Sequence, residues 1–169
     1  MVLAAGTVSA ARLASMGLRV PLMPVKGYSA TAVIRDFEGA PRSALMDDSY
    51  KTAITRMGAR VRIAGTAEIG ATDTVIRDAV MRSLVRRGEE WFPHAANYNT
   101  ANFWTGVRPM LPDSAPLLGP TPWRGVFVNI GHGSHGWAMA AGSGKIIADL
   151  VSGRTPDIDL DGLTLSRYG

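Results

Sequence analysis

Apolar and β-branched residues alternate or cluster between turn signals at positions 27–35, 43–47, 51–57 and 60–64, a period near two that predicts an antiparallel sheet. Gly39 and Gly58 mark the expected hairpin turns. The period then lengthens. Val75, Ile76, Ala79, Val80 and Leu84 fall on one face of a helix capped by Asp73 or Thr74 and ending at Arg86-Arg87-Gly88. Its arginines read as a solvated face near the negative end of the helix dipole. Further on, the apolar run 125–130 predicts a strand, and a helical pattern follows over 137–151, with Gly153 as its stop.

Between that strand and that helix lies Gly131-His132-Gly133-Ser134-His135-Gly136, whose glycines allow tight turning and close approach of a ligand or another backbone. Ser134 is the expected helix cap. The free N–H groups and positive dipole end of such a helix suit an anion or a ring that becomes electron-rich. Upstream, Pro109 and Pro112 stiffen the chain around Arg108. A guanidinium held on a rigid stretch can clamp a carboxylate through two parallel hydrogen bonds. Taken alone, an arginine is more often an ordinary exposed or ion-paired residue.

At 169 residues, 46% hydrophobic and 19% charged, the chain can bury a core and is not disordered by composition. No apolar run approaches the roughly 20 residues of a membrane span, and the opening lacks the layout of a signal peptide, so cytoplasmic residence is the default expectation. The absence of cysteine excludes disulfides and thiolate metal sites. His94, His132 and His135 have no metal-ligand spacing, and no metal is assigned. The net charge of +4 suits anionic substrates or an acidic membrane surface. The scattered arginines carry no nucleic-acid-binding motif.

Several segments, in order, resemble the D-amino acid oxidase family of flavoproteins, and within it most closely the bacterial D-amino acid dehydrogenases. They are Val2-Leu3-Ala4-Ala5-Gly6 with Ser9, Pro24-Val25-Lys26-Gly27-Tyr28-Ser29, Gly106-Val107-Arg108-Pro109-Met110 with Pro112-Asp113, Gly131-His132-Gly133 with Gly136-Trp137, and Gly142-Ser143-Gly144, ending in Ser166-Arg167-Tyr168. The resemblance implies an α/β (α+β) fold in which part of an FAD-binding Rossmann-like domain, residues 1–25 and 105–169, accompanies an antiparallel-sheet substrate domain, residues 26–104.

By the same resemblance, Arg108 binds the substrate carboxylate, and Ala4, Ala5 and Gly6 touch FAD. The loop of Gly131, His132, Gly133, Ser134, His135, Gly136 and Trp137 lies against the flavin. Tyr28 and Tyr98 are candidates for the substrate pocket, although each has an ordinary packing role open to it. His132 contributes packing and backbone contacts, and no side chain is assigned as catalytic base.

The implied reaction is oxidative deamination of a D-amino acid to a 2-oxo acid and ammonia, with electrons passed to a quinone or other acceptor. Peripheral association with the inner membrane would suit a quinone. A glycine, sarcosine or imino-acid oxidase of the same superfamily is the alternative enzyme. A non-catalytic half-domain that needs a partner chain is the alternative of another class. The family's proteins begin with a strand, a Gly-x-Gly-x-x-Gly turn and a helix that hold the FAD pyrophosphate, and the turn after the first predicted strand here, at Ala4-Ala5-Gly6, lacks that spacing. The chain is therefore expected to be roughly the C-terminal 40% of a larger protein.

Overall fold

The computed structural model describes residues 1–168 and divides the chain into two compact units. The first is assembled from residues 1–25 and 108–169, the second from residues 26–107.

In the first unit, strands β1 (Val2–Leu3), β7 (Leu117–Pro120) and β8 (Phe127–Ile130) form a sheet in the order β1-β8-β7. β1 runs parallel to β8, with Val2 opposite Phe127, and β7 runs antiparallel to it, with Leu117 opposite Ile130. Successive residues of β7 serve opposite faces, as strand geometry requires. Leu117 joins Val128, Ile130 and Leu13 of helix α1 (Val8–Ser15) in one core. Leu118 joins Ile146 and Ile147 of helix α3 (Gly136–Val151) in another. One helix therefore packs on each side of the sheet.

The expected strand over 125–130 and helix over 137–151 both form, close to those bounds. The expected cap does not. Ser134 lies inside a 3-10 turn over Gly133–His135, and α3 begins after His135 without a capping side-chain hydrogen bond.

The second unit is built on a five-stranded sheet in the order β3-β4-β5-β2-β6. The strands are β2 (Met23–Val33), β3 (Leu45–Asp47), β4 (Thr52–Met57), β5 (Arg60–Ile69) and β6 (Asn102–Met110). β3, β4 and β5 pair antiparallel in sequence, with Met57 opposite Arg60 across the tight turn at Gly58. Gly39 marks no hairpin, because β2 and β3 are not sheet neighbours. Helix α2 (Asp78–Trp91) covers one face, bringing Met81 and Leu84 against Ile54, Val61 and Ile63.

This helix departs from expectation at both ends. Val75 and Ile76 precede it and are exposed. Asp73 does not cap it, because its carboxylate accepts from the Val75 N–H and from the buried ammonium of Lys26, the latter at 2.5 Å. At the far end Gly88 does not stop the helix but lies within it. A Cβ there would stand 2.8 Å from Cε1 of Tyr98, so glycine serves close packing. Arg87 is buried with its guanidinium over the Tyr50 ring, whereas Arg86 stays on the solvated face.

Lys26 is wholly buried, and such a charge persists only where partners replace water. Its ammonium donates to Asp73 and to the Val75 carbonyl, while Glu68 accepts from the Tyr28 hydroxyl and from Arg77. Burial opposes the charge on Lys26, but the bond to Asp73, with the nearby Tyr28, outweighs it and leaves its pKa above the ordinary value. Arg77 and then Tyr28 hold Glu68 below the usual carboxylate range, and Lys26 does the same for Asp73.

Candidate functional site

In the first unit a cleft of about 260 Å³ opens where β1 and β8 release the chain into their following turns. Its lining includes Ala4 and Gly6 after β1, Asn129, Ile130, Gly131 and His132 at the end of β8, and Gly136, Ala140 and Ser143 of α3. Clefts beyond the ends of sheet strands are the usual ligand position in α/β folds. Pro109 completes the wall, which places the residue after Arg108 on the cleft.

An antiparallel bridge between Met110 and His132 fastens the Arg108 segment to the glycine loop. Gly131 makes that possible. Its φ is +79°, and a Cβ at this position would run into the Leu111 side chain. Gly133 has φ +55°, and a Cβ would lie 2.6 Å from Sδ of Met110. The loop glycines thus admit the neighbouring protein segment, a role distinct from admitting a ligand.

Two polar atoms at this cleft lack partners. Oδ1 of Asn129 and Nε2 of His132 are buried from solvent and make no hydrogen bond. Buried polar groups are ordinarily satisfied, and these two belong to residues that line the cleft. Burial also disfavours the imidazolium, holding the His132 pKa below its usual value.

Of the residues singled out in the sequence, Ala4, Gly6, Gly131, His132 and Gly136 line the cleft. Ala5, Gly133, Ser134, His135 and Trp137 do not, and the Trp137 side chain is 96% exposed. Arg108 is half-buried in the wall segment. Tyr28 and Tyr98 lie in the core of the second unit with their hydroxyls already engaged, Tyr28 donating to Glu68 and Tyr98 to the Phe92 carbonyl. Burial pushes the Tyr98 phenol up to about 12, so it stays a neutral donor. Sequence reasoning passed over Asn129, whose signal was a lone amide in an otherwise apolar strand. It also passed over Ala140 and Ser143, whose place on the cleft depends on the rotation of α3. Among the described residues no cluster of three His, Asp or Glu could hold a metal, and no helix is long and apolar enough to cross a membrane.

The pattern describing FAD dependent oxidoreductases, abbreviated DAO, matches residues 1–150. A D-amino acid dehydrogenase of Xanthobacter autotrophicus is 48% identical over 167 residues, covering 99% of this chain but 40% of its own length. One of Bradyrhizobium diazoefficiens is 46% identical over the same share of each chain. Among solved structures, glycine oxidase from Geobacillus kaustophilus superposes with a TM-score of 0.87 at 27% identity, over 99% of this chain and 45% of its own. Iminodiacetate oxidase from Chelativorans sp. BNC1 shares the fold, with a TM-score of 0.83 at 23% identity over 96% of this chain and 45% of its own.

Proposed function

The chain belongs to the DAO family of FAD-dependent oxidoreductases, and from that premise we propose that it is part of a D-amino acid dehydrogenase. It spans about 40% of the length of the curated relatives it matches, and the reading assigns the FAD pyrophosphate site to the remainder. The observation that carries the proposal is the cleft between the glycine loop and the turn after β1, lined by Ala4, Gly6, Asn129, Gly131 and His132 at the ends of the two parallel strands. Its volume of about 260 Å³ suits part of an FAD molecule and not the whole.

In this reading Ala4, Gly6, Gly131, His132 and Gly136 hold the cofactor, and the N-terminal turn of α3 offers positive potential to it. FAD, when bound, supplies the two-electron acceptor. Arg108, stiffened by Pro109, anchors the substrate carboxylate and fixes the orientation of Cα. The substrate loses hydride from Cα and a proton from nitrogen. Water then releases ammonia and leaves the 2-oxo acid. The electrons pass onward to a quinone or other acceptor, which peripheral contact with the inner membrane would serve.

In the full-length protein, anaerobic D-alanine should bleach the flavin absorbance while L-alanine leaves it intact. Bleaching by the L-isomer alone would overturn the reading. Glycine oxidase activity is the second reading, favoured by the fold match to that enzyme. The higher identity to the dehydrogenases ranks it below, and rapid bleaching by glycine with fast reoxidation in air would reverse the order.

A further inference from the structure

The second unit carries a pocket, lined by two arginines, that the proposed deamination does not use. Val61 and Ile63 of β5 face α2 and are fully buried, so strand alternation turns Arg60 and Arg62 to the opposite face of the sheet. There they share a pocket of about 390 Å³ with Thr31 of β2, Thr100, and Asn102 and Trp104 of β6. Residues two apart on a strand have Cα atoms about 6.6 Å apart, close enough for two guanidinium groups to repel. Among the described residues, neither guanidinium enters any of the unit's ion pairs. Arg62 is steadied by donating through Nε to Oγ1 of Thr31, which leaves its terminal nitrogens free for a ligand.

Trp104 adds a second, independent feature. It remains 60% exposed, yet its ring lies so close over Gly106 that any Cβ there would collide with it. The absence of a side chain at Gly106 therefore leaves room for the indole to lie along the strand, in the same pocket as the arginines. The lining contains no carboxylate. Two guanidinium forks, an indole N–H and an amide offer more donors than the two oxygens of one carboxylate can accept. We propose that this pocket binds a phosphate group, with Trp104 packing against whatever organic body the phosphate carries. A phosphorylated small molecule and an anionic lipid headgroup present the same chemistry.

The test is titration of the purified chain with inorganic phosphate and pyrophosphate in low-salt buffer, followed by calorimetry and phosphorus NMR line width. In parallel, the chain is sedimented with phosphatidylglycerol vesicles and with neutral phosphatidylcholine vesicles. Saturable phosphate binding is expected, weakened about 100-fold in Arg60→Gln/Arg62→Gln with an unchanged circular dichroism spectrum. The charge-conserving Arg60→Lys/Arg62→Lys pair, which guards against loss of folding, should weaken it about tenfold. Sedimentation with phosphatidylglycerol alone, reversed by free phosphate, would identify a lipid headgroup as the source. Phosphate binding without vesicle binding would identify a soluble compound. The proposal is overturned if neither phosphate nor vesicles bind saturably, or if the glutamine pair binds like the native chain. Because the pocket lies wholly within residues 26–107, its failure would leave the reading of the FAD cleft untouched.

Discussion

The two long helices of this protein are used differently. α2 closes one face of its sheet, burying Met81, Leu84, Arg87 and Gly88, with the Arg87 guanidinium over the Tyr50 ring. α3 buries Ser143, Ile146, Ile147 and Asp149, all in its later turns, while Trp137, Ala138 and Ala141 near its start remain exposed. The unpartnered Asn129 and His132 atoms belong to the same unit as α3. Beneath α2 the sequence is spent on closing a core. Around the start of α3 it keeps polar and small-residue surface beside a cleft, as a ligand site requires and a stable core does not.

The largest effect should come from opening the core beneath α2. Ile63→Ala removes a fully buried side chain that touches Gly88 and should cost about 2–5 kcal/mol in denaturant unfolding. A loss well under 1 kcal/mol would mean that this core is loosely packed. In the full-length enzyme, Arg108→Lys should lower kcat/KM by about 2–4 kcal/mol, mainly through KM, because the fork geometry is lost. Unchanged kinetics would remove Arg108 from the site.

Two glycines of the first unit separate space from backbone strain. Gly131→Ala drives a methyl into Leu111 at a positive φ and should cost about 2–3 kcal/mol. Gly6→Ala meets nothing within 4 Å at φ +57° and should cost about 1 kcal/mol. Equal losses would contradict the close packing assigned to Gly131.

Acid should also distinguish the units. His132 has a depressed pKa in the folded state, so its contribution is present above the unfolded value of 6.5 and fades as pH falls through the folded pKa. The depressed carboxyls of Glu68 and Asp73 stabilise above their unfolded values of 4.5 and 3.8 and lose that effect only at lower pH. NMR-monitored acid titration should therefore perturb the unit containing His132 first. The reverse order would break the comparison. The smallest effect is expected for Trp137→Ala, which should change the chain's stability by no more than about 0.5 kcal/mol.

How much of this was legible in the sequence depended on whether the decisive neighbour was local. The strand and helix flanking the glycine loop announce themselves by a change of period, and both form close to the expected bounds. The start of α2 was misread because Val75 and Ile76 fit a helical stripe, whereas Lys26, distant in sequence, claims the Asp73 carboxylate instead. Gly88 looked like a stop because the approach of Tyr98 and Ile63 is a tertiary fact. The cleft was visible through Gly131 and His132. The missing partners of Asn129 and His132 could be identified only after every hydrogen bond had been placed.

The pairing of Val2 with Phe127 has a consequence for the order of assembly. The residues of the second unit form one uninterrupted segment, and they lie between the two pieces of the first. During synthesis the central segment can complete its contacts while β1 still waits for β8 to be made. Closing that parallel pair means bringing together two strands separated in sequence by an entire folded unit, which makes it slow and late. Until it closes, the apolar edge of β8 has no β1 to cover it, and that interval is when the nascent chain is most exposed to misassociation.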